Sequence, residues 1–239
     1  NFISTRLGLP ADADTDRDLL TGIIAGNDLF SNVLQADPNS RTDSIAFAYR
    51  DVSFKSGNVI SLNNAAASPS SASTVRLQTK TNDAAQSNLF DLYLLESDSS
   101  QVAVMATGLP GSSNIDIGPG DPLGLNQALD GVGADGSILK KCTATITENC
   151  TTYVASMKRF FWVSYKVKAD GTLVRTIFGN NSGGSAAQIQ EMPLAYNIED
   201  LQFRYVLEDG TTSENPAAGP DGVAGTDDDR PGDFNLVRQ

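Results

Sequence analysis

The carboxylates are the residues of this chain best placed to do chemistry. Near the C-terminus Asp221, Asp227, Asp228, Asp229 and Asp233 fall on the Gly-containing run DGVAGTDDDRPGD. Side chains of like charge repel one another unless water or a cation screens them. Ca2+ takes about 6–8 oxygen ligands at roughly 2.3–2.6 Å, and Asp/Gly loops supply them. Gly222 and Gly225 let the backbone curl to gather these oxygens. The spacing is not that of an EF-hand, so two readings stand: a calcium loop built on those five aspartates, or an acidic loop screened by water. From Glu191 to Gln239 there are 11 acidic and 3 basic residues, which is 8 of the 12 net negative charges. A second alternating run, Asp12 to Asp18, is more simply explained by capping and the helix dipole.

Positive charge gathers elsewhere. Between positions 140 and 175, Lys140, Lys141, Lys158, Arg159, Lys166, Lys168 and Arg175 face only Glu148 and Asp170. Lys140, Lys141, Lys158 and Arg159 are candidates for an electrostatic partner-binding patch, which would set register and encounter rate. The simpler reading is that Lys166 and Lys168 occupy the outward face of a strand. Cys142 and Cys150 enclose seven polar-leaning residues. Their surroundings favour a local disulfide, and hence an oxidising compartment, over two free thiols. Two Cys without His make an incomplete zinc site.

Other chemistries are removed by composition. The 239 residues contain no histidine, so a Ser-His-Asp triad or a Cys-His pair cannot form within this chain. No Gly-x-Ser-x-Gly elbow or phosphate-cradling Gly-rich loop with Lys is present. Paired carboxylates are plentiful, but nothing sets two of them around a cleft. A net charge of −12 argues against a protein that binds nucleic acid by covering phosphates. The expectation is a non-enzymatic structural or binding protein.

The elements that position these residues read as follows. Residues 1–36 carry helical spacing through Leu19, Leu20, Ile23 and Ile24, capped by Asp16 or Asp18 and weakened by Gly22 and Gly26. Residues 43–50 alternate as a strand with Ile45, Phe47 and Tyr49 on one face. Further strands fit 52–54, 59–62, 74–79 and 102–106, while 89–95 suits a buried strand or a short helix. Residues 63–73 read as a loop, and 108–136, rich in Gly, Pro, Asp and Asn, as a long surface loop. Phe160–Lys168 and Thr172–Phe178 flank Asp170-Gly171, a strong hairpin signal. Residues 192–207 read as a strand inside a sheet, with Leu201, Phe203 and Tyr205 buried. No apolar run reaches the ~18–20 residues of a membrane span. The start at Asn1 and the strand-like end at Phe234–Gln239 read as cuts through a longer protein.

Three ordered segments carry a resemblance. They are ADPNSRTDSIAFAYR (36–50), FWVSYKVKADGTLVR (161–175) and MPLAYNIEDLQFRYVLEDG (192–210). Together they resemble the minor pilins and pseudopilins of type IV pili and type II secretion systems, in particular the PilW-like and J-type members. The resemblance implies an α+β, pilin-like head domain over 1–239. A short N-terminal helical part (1–36) would pack on mostly antiparallel sheet, in a first strand region (43–107) and a second (137–239) around the 108–136 loop, with one local disulfide. It implies a subunit that assembles with other pilins at or near a filament tip, at the cell surface or in the periplasm. An upstream membrane helix would lie outside this chain. Pseudopilins use calcium in C-terminal loops, which bears on the Asp221–Asp233 run. A calcium-stabilised extracellular adhesin or carbohydrate-binding β-module is the alternative.

Overall fold

The computed structural model describes residues 22–37, 40–63, 68–69, 74–80, 82–96, 101–126, 156–206, 210 and 212–214. Thirteen strands lie within them. The first eight are β1 (Ile23–Phe30), β2 (Thr42–Arg50), β3 (Ile60–Ser61), β4 (Ser68–Pro69), β5 (Val75–Gln78), β6 (Leu92–Glu96), β7 (Gln101–Met105) and β8 (Asn114–Ile117). The others are β9 (Ser156–Val167), β10 (Leu173–Phe178), β11 (Ile189–Ala195), β12 (Tyr205–Val206) and β13 (Thr212–Ser213). The helical turns among the described residues are 3-10 segments of four or five residues, at Phe54–Gly57, Asn82–Gln86 and Ser185–Gln188.

The α+β expectation is therefore overturned. The part of 1–36 that is described is not helical: Ile23 and Ile24 lie in β1. Two β-branched residues lose rotamer freedom in a helix, and a helical Gly costs about 1 kcal/mol. Pairing with β2 supplies what a helix would have supplied. Ile23 faces Phe47, Ala25 faces Ile45 and Gly26 faces Ser44 in an antiparallel ladder. Gly26 is needed at its place, because a Cβ there would stand 2.5 Å from the Ser44 hydroxyl oxygen.

The chain forms two compact units, each assembled from separate stretches. Unit 1 comprises Asn1–Ala48, Trp162–Ile177 and Gln190–Gln239. Its strands run in the order β1-β2-β9-β10-β11. The β9–β10 hairpin turns where Asp170-Gly171 predicts. Gly171 has φ +77, and its N–H bonds to the Lys168 carbonyl at 2.9 Å. Buried Ile45 and Tyr205 centre an apolar cluster with Ile23, Phe47, Tyr165 and Phe203. Phe47 and Tyr165 meet edge to face at 6.2 Å.

The expected 192–207 strand is shorter and differently placed. β11 ends at Ala195 and stands last in the strand order, and 197–204 follow an irregular path. Tyr205 is buried, whereas Leu201 and Phe203 are half-buried. Pro193 explains the edge position, since it has no N–H to give to a neighbouring strand.

Unit 2 comprises Tyr49–Phe161 and Phe178–Ile189. β6 pairs antiparallel with both β7 and β9, and β5 pairs with both β4 and β8. The core includes Ile60, Leu77, Tyr93, Leu95, Ile115 and Met157. Part of the expected 108–136 loop is strand, because Ile115 and Ile117 of β8 alternate into that core. Just beyond it, the Asp121 carboxylate accepts the N–H groups of Leu123, Leu125 and Asn126. The Asn126 side chain in turn holds Met105 and Gly118.

Candidate functional site

The strongest polar constellation is a buried charge network in unit 2. Asp51 follows the end of β2, Asp91 precedes β6, and Arg159 comes from β9. The Arg159 guanidinium lies 2.6 Å from Asp51 Oδ2 and 3.3 Å from Asp91 Oδ2. Both carboxylate side chains are 1% exposed, and the arginine is 18% exposed. Asp51 Oδ1 also accepts the Ser53 N–H, the Ser53 hydroxyl and the Phe54 N–H. The guanidinium carbon sits 4.2 Å over the Phe54 ring, which meets Tyr93 edge to face. The Tyr93 hydroxyl is 2.6 Å from Ser87 Oγ and 3.3 Å from Asp91 Oδ2.

The two acids are pushed in opposite directions. Burial disfavours charge on Asp51, but hydrogen bonds from Ser53, Arg159 and Phe54 outweigh it and hold the carboxyl below its ordinary range. At Asp91 burial dominates over the Asn88 N–H and Arg159, so its carboxyl titrates above its ordinary range. One cation between two buried acids leaves one negative charge in excess, and Asp91 carries that burden. Burial also raises the Tyr93 hydroxyl. These groups face inward and bond to one another, which suits fixing a shape better than turning over a substrate.

What the network fixes is the turn after β2. Lys55, Ser56 and Gly57 are consecutively left-handed, with φ of 50, 54 and 76°. A non-glycine residue there costs about 1–2 kcal/mol. Such a run persists only where its surroundings over-determine it. Phe54 is the buried anchor, Asp51 caps the entry, and Arg50 closes the loop through a hydrogen bond to the Gly57 carbonyl. Val52 projects outward, 73% exposed. Beside it Tyr49, also exposed, packs on Phe161 at 5.6 Å.

Unit 1 has its own buried acid. Asp43 on β2 accepts the Asp28 N–H at 2.8 Å and the Phe203 N–H at 2.6 Å. Its carboxylate therefore ties the bulge in β1 to the irregular stretch after β11. Burial raises its carboxyl, and the negative charges of Asp28 and Asp200 add to that. Asp28, Glu199 and Asp200 are exposed. On β11, Glu191 binds Lys168 at 3.0 Å and Lys166 at 3.4 Å. Met192 and Leu194 alternate with Glu191 and project to the opposite side, both exposed, followed by Tyr196 at 68%.

The residues singled out by sequence fall unevenly on this picture. Lys158 pairs with Glu96 at 2.7 Å across β9 and β6, and Arg159 is engaged by Asp51 and Asp91. Both of these cations have partners within their own unit. Lys140, Lys141, Cys142, Cys150, Asp221, Asp227, Asp228, Asp229 and Asp233 lie outside the described residues. Among the described residues no group of three or more His, Cys, Asp or Glu is arranged to hold a metal ion, and no helix is long and apolar enough to cross a membrane. Sequence reasoning missed Asp43, Asp51 and Asp91. Asp51 had a local signal, the Asp-x-Ser spacing of an Asx-turn. Asp43 and Asp91 had none, because what defines them is long-range burial. No family model, no curated protein and no solved structure matches the chain.

Proposed function

We propose that this chain is a structural subunit of the minor pilin or pseudopilin kind, working by assembly with other pilins at a filament tip and not by covalent chemistry. The observation that supports this is the neighbourhood of the three segments that carry the resemblance. They contribute β2, the β9–β10 hairpin and the Met192–Ala195 part of β11, which are consecutive in the strand order, while 197–206 of the third segment lie outside that sheet. Segments that are scattered in sequence thus share a sheet. The cell surface or periplasm is the corresponding location. Calcium at the Asp221–Asp233 run, and partner contacts at Lys140 and Lys141, belong to the same proposal.

The test is cross-linking mass spectrometry on intact filaments from cells producing the chain. Cross-links from exposed lysines of this chain to other pilins are the expected result. Recovery of the chain only as a free or cell-bound protein would overturn the reading. It would favour an extracellular adhesin or carbohydrate-binding β-module, for which the all-β character of the described residues speaks.

A further inference from the structure

We propose that Asp91 is a proton-operated latch on the corner of unit 2 where the Asn88–Leu92 entry to β6 meets the 179–188 loop. With its proton, Asp91 holds the corner shut; as a carboxylate it lets the corner and the loop open. This device is independent of the assembly reading. The two acids on Arg159 are unequally satisfied. Asp51 Oδ1 accepts the Ser53 N–H, the Ser53 hydroxyl and the Phe54 N–H, and Asp51 Oδ2 lies 2.6 Å from the guanidinium. Asp91 Oδ2 accepts the Asn88 N–H at 2.9 Å, with Arg159 and the Tyr93 hydroxyl more distant at 3.3 Å each. Asp91 Oδ1 is buried and has no hydrogen-bond partner among the described residues. A buried anion with one bare oxygen is destabilising, and a proton relieves it. A proton on Oδ1 leaves every bond to Oδ2 in place.

The residue before Asp91 is strained. Phe90 has φ 69 and Asn180 has φ 57, both left-handed without being glycine. For a side chain as bulky as Phe that is an outlier. The two are tied together: the Asn180 N–H donates to the Phe90 carbonyl at 3.0 Å, and the Asn180 side-chain oxygen accepts the Leu92 N–H at 2.7 Å. The Asp91 carbonyl also accepts the Ala106 N–H at 3.0 Å. Beyond Asn180, buried Gln188 donates to the carbonyls of Asn181, Gly183 and Gly184, and residues 182–186 are exposed. An Asp91 carboxylate that turns toward water carries Phe90 with it, and so releases Asn180 and the loop. Strain of this kind concentrates at switch segments. The charged and titratable groups facing Asp91 are Arg159, directly opposite Tyr93 in the β6–β9 ladder, Tyr93 itself, and Asp51 across the guanidinium. Lys158 and Glu96 lie on the other face of that ladder and pair with each other. The Asp91 carboxyl is raised, by burial above all, whereas the burial of Asp51 is outweighed by its hydrogen bonds and its carboxyl is lowered. The two acids therefore titrate on opposite sides of the ordinary carboxylate range.

Hydrogen exchange of the purified chain, followed amide by amide from acidic to neutral pH, tests this. Protection factors remove the intrinsic pH dependence of exchange. In the open corner Asp91 meets water and titrates near the ordinary value of about 3.9. In the closed corner it holds its proton to higher pH, so opening between those two values releases a proton. Protection at the Leu92, Ala106 and Asn180 amides should therefore fall as pH rises, by up to about tenfold per pH unit, and level off above the folded value. Amides of the β5–β8 ladder, such as Leu77 and Ile115, are the reference and should stay level. Asp91→Asn should abolish the fall. Tyr93→Phe removes a hydroxyl that favours the carboxylate, so it should keep the fall and move its midpoint upward. Melting curves show whether each variant folds. Level protection at the corner of the wild type overturns the latch, as does a fall that persists in Asp91→Asn. A corner and a reference ladder that lose protection together also overturn it, because the opening is then global. Should Asp91→Asn not fold, the Tyr93→Phe midpoint decides, and an unmoved midpoint overturns the assignment to Asp91.

Discussion

Replacing Arg159 by methionine removes the one cation from between Asp51 and Asp91. Both carboxylates are 1% exposed, and they lie 2.6 and 3.3 Å from the guanidinium. Breaking a buried pair by deleting one partner costs about 3–5 kcal/mol, because a charge is left buried without compensation. Arg159 is 18% exposed, which moves the expectation toward the lower end, about 3 kcal/mol. For a chain of this size that is a drop in Tm of roughly 6–12 °C. The loss has a pH signature. Without the cation Asp91, already raised by burial against the pull of Arg159, titrates further above its unfolded value, which is about 3.9. Between the unfolded and the raised folded value the folded state holds more protons, so the variant gains stability as pH falls through that window. Urea or thermal melts of wild type and variant, at neutral and mildly acidic pH, measure both effects. A loss below about 1 kcal/mol, the size of an exposed pair, would refute the reading of this network. So would a loss that does not change with pH.

Other outcomes are expected with less arithmetic. Asp43→Asn leaves one of two backbone N–H groups facing an amide instead of an oxygen, at a cost of about 1–3 kcal/mol. Because the folded Asp43 carboxyl is raised, the stability it contributes is full below the ordinary carboxylate range and falls as pH rises through it. The asparagine variant should lack that slope in a pH series of melts. Gly171→Ala puts a Cβ 2.3 Å from Leu34 Cδ1 at φ +77, and should destabilise unit 1 by about 1–2 kcal/mol in denaturant melts. Calcium should raise Tm, and replacing Asp221, Asp227, Asp228, Asp229 and Asp233 by Asn should abolish the rise; a melt indifferent to calcium removes that part of the proposal. Intact-mass measurement before and after reduction should show a 2 Da change for a Cys142–Cys150 disulfide, and none if both thiols are free.

Local chemistry was legible in the sequence wherever a short segment decides its own structure. Asp170-Gly171 between two β-branched runs announced the β9–β10 hairpin, and the alternation of Ile45 and Phe47 announced β2. Reading failed where a distant partner decides. Ile23 and Ile24 have helical spacing with their neighbours, yet the ladder to Ala46 and Phe47 makes them a strand. The 192–207 run alternates well, but Pro193 and the hold of Asp43 on Leu201 and Phe203 draw the stretch after Ala195 out of regular pairing. Arg159 was visible as a charge and misread as surface, since its partner Asp51 is 108 positions away. Buried ionic networks of this kind leave no periodic trace, because each member is an ordinary polar residue until the fold brings the others to it.

The assembly account is tested most directly by asking where the protein goes. Filaments sheared from cells that produce the chain would be probed for it, with and without the peptidase that processes prepilins. The account expects the chain in the sheared fraction when the peptidase is present and its loss from that fraction when the peptidase is absent. A chain that reaches the surface equally in both strains, outside any filament, would contradict it.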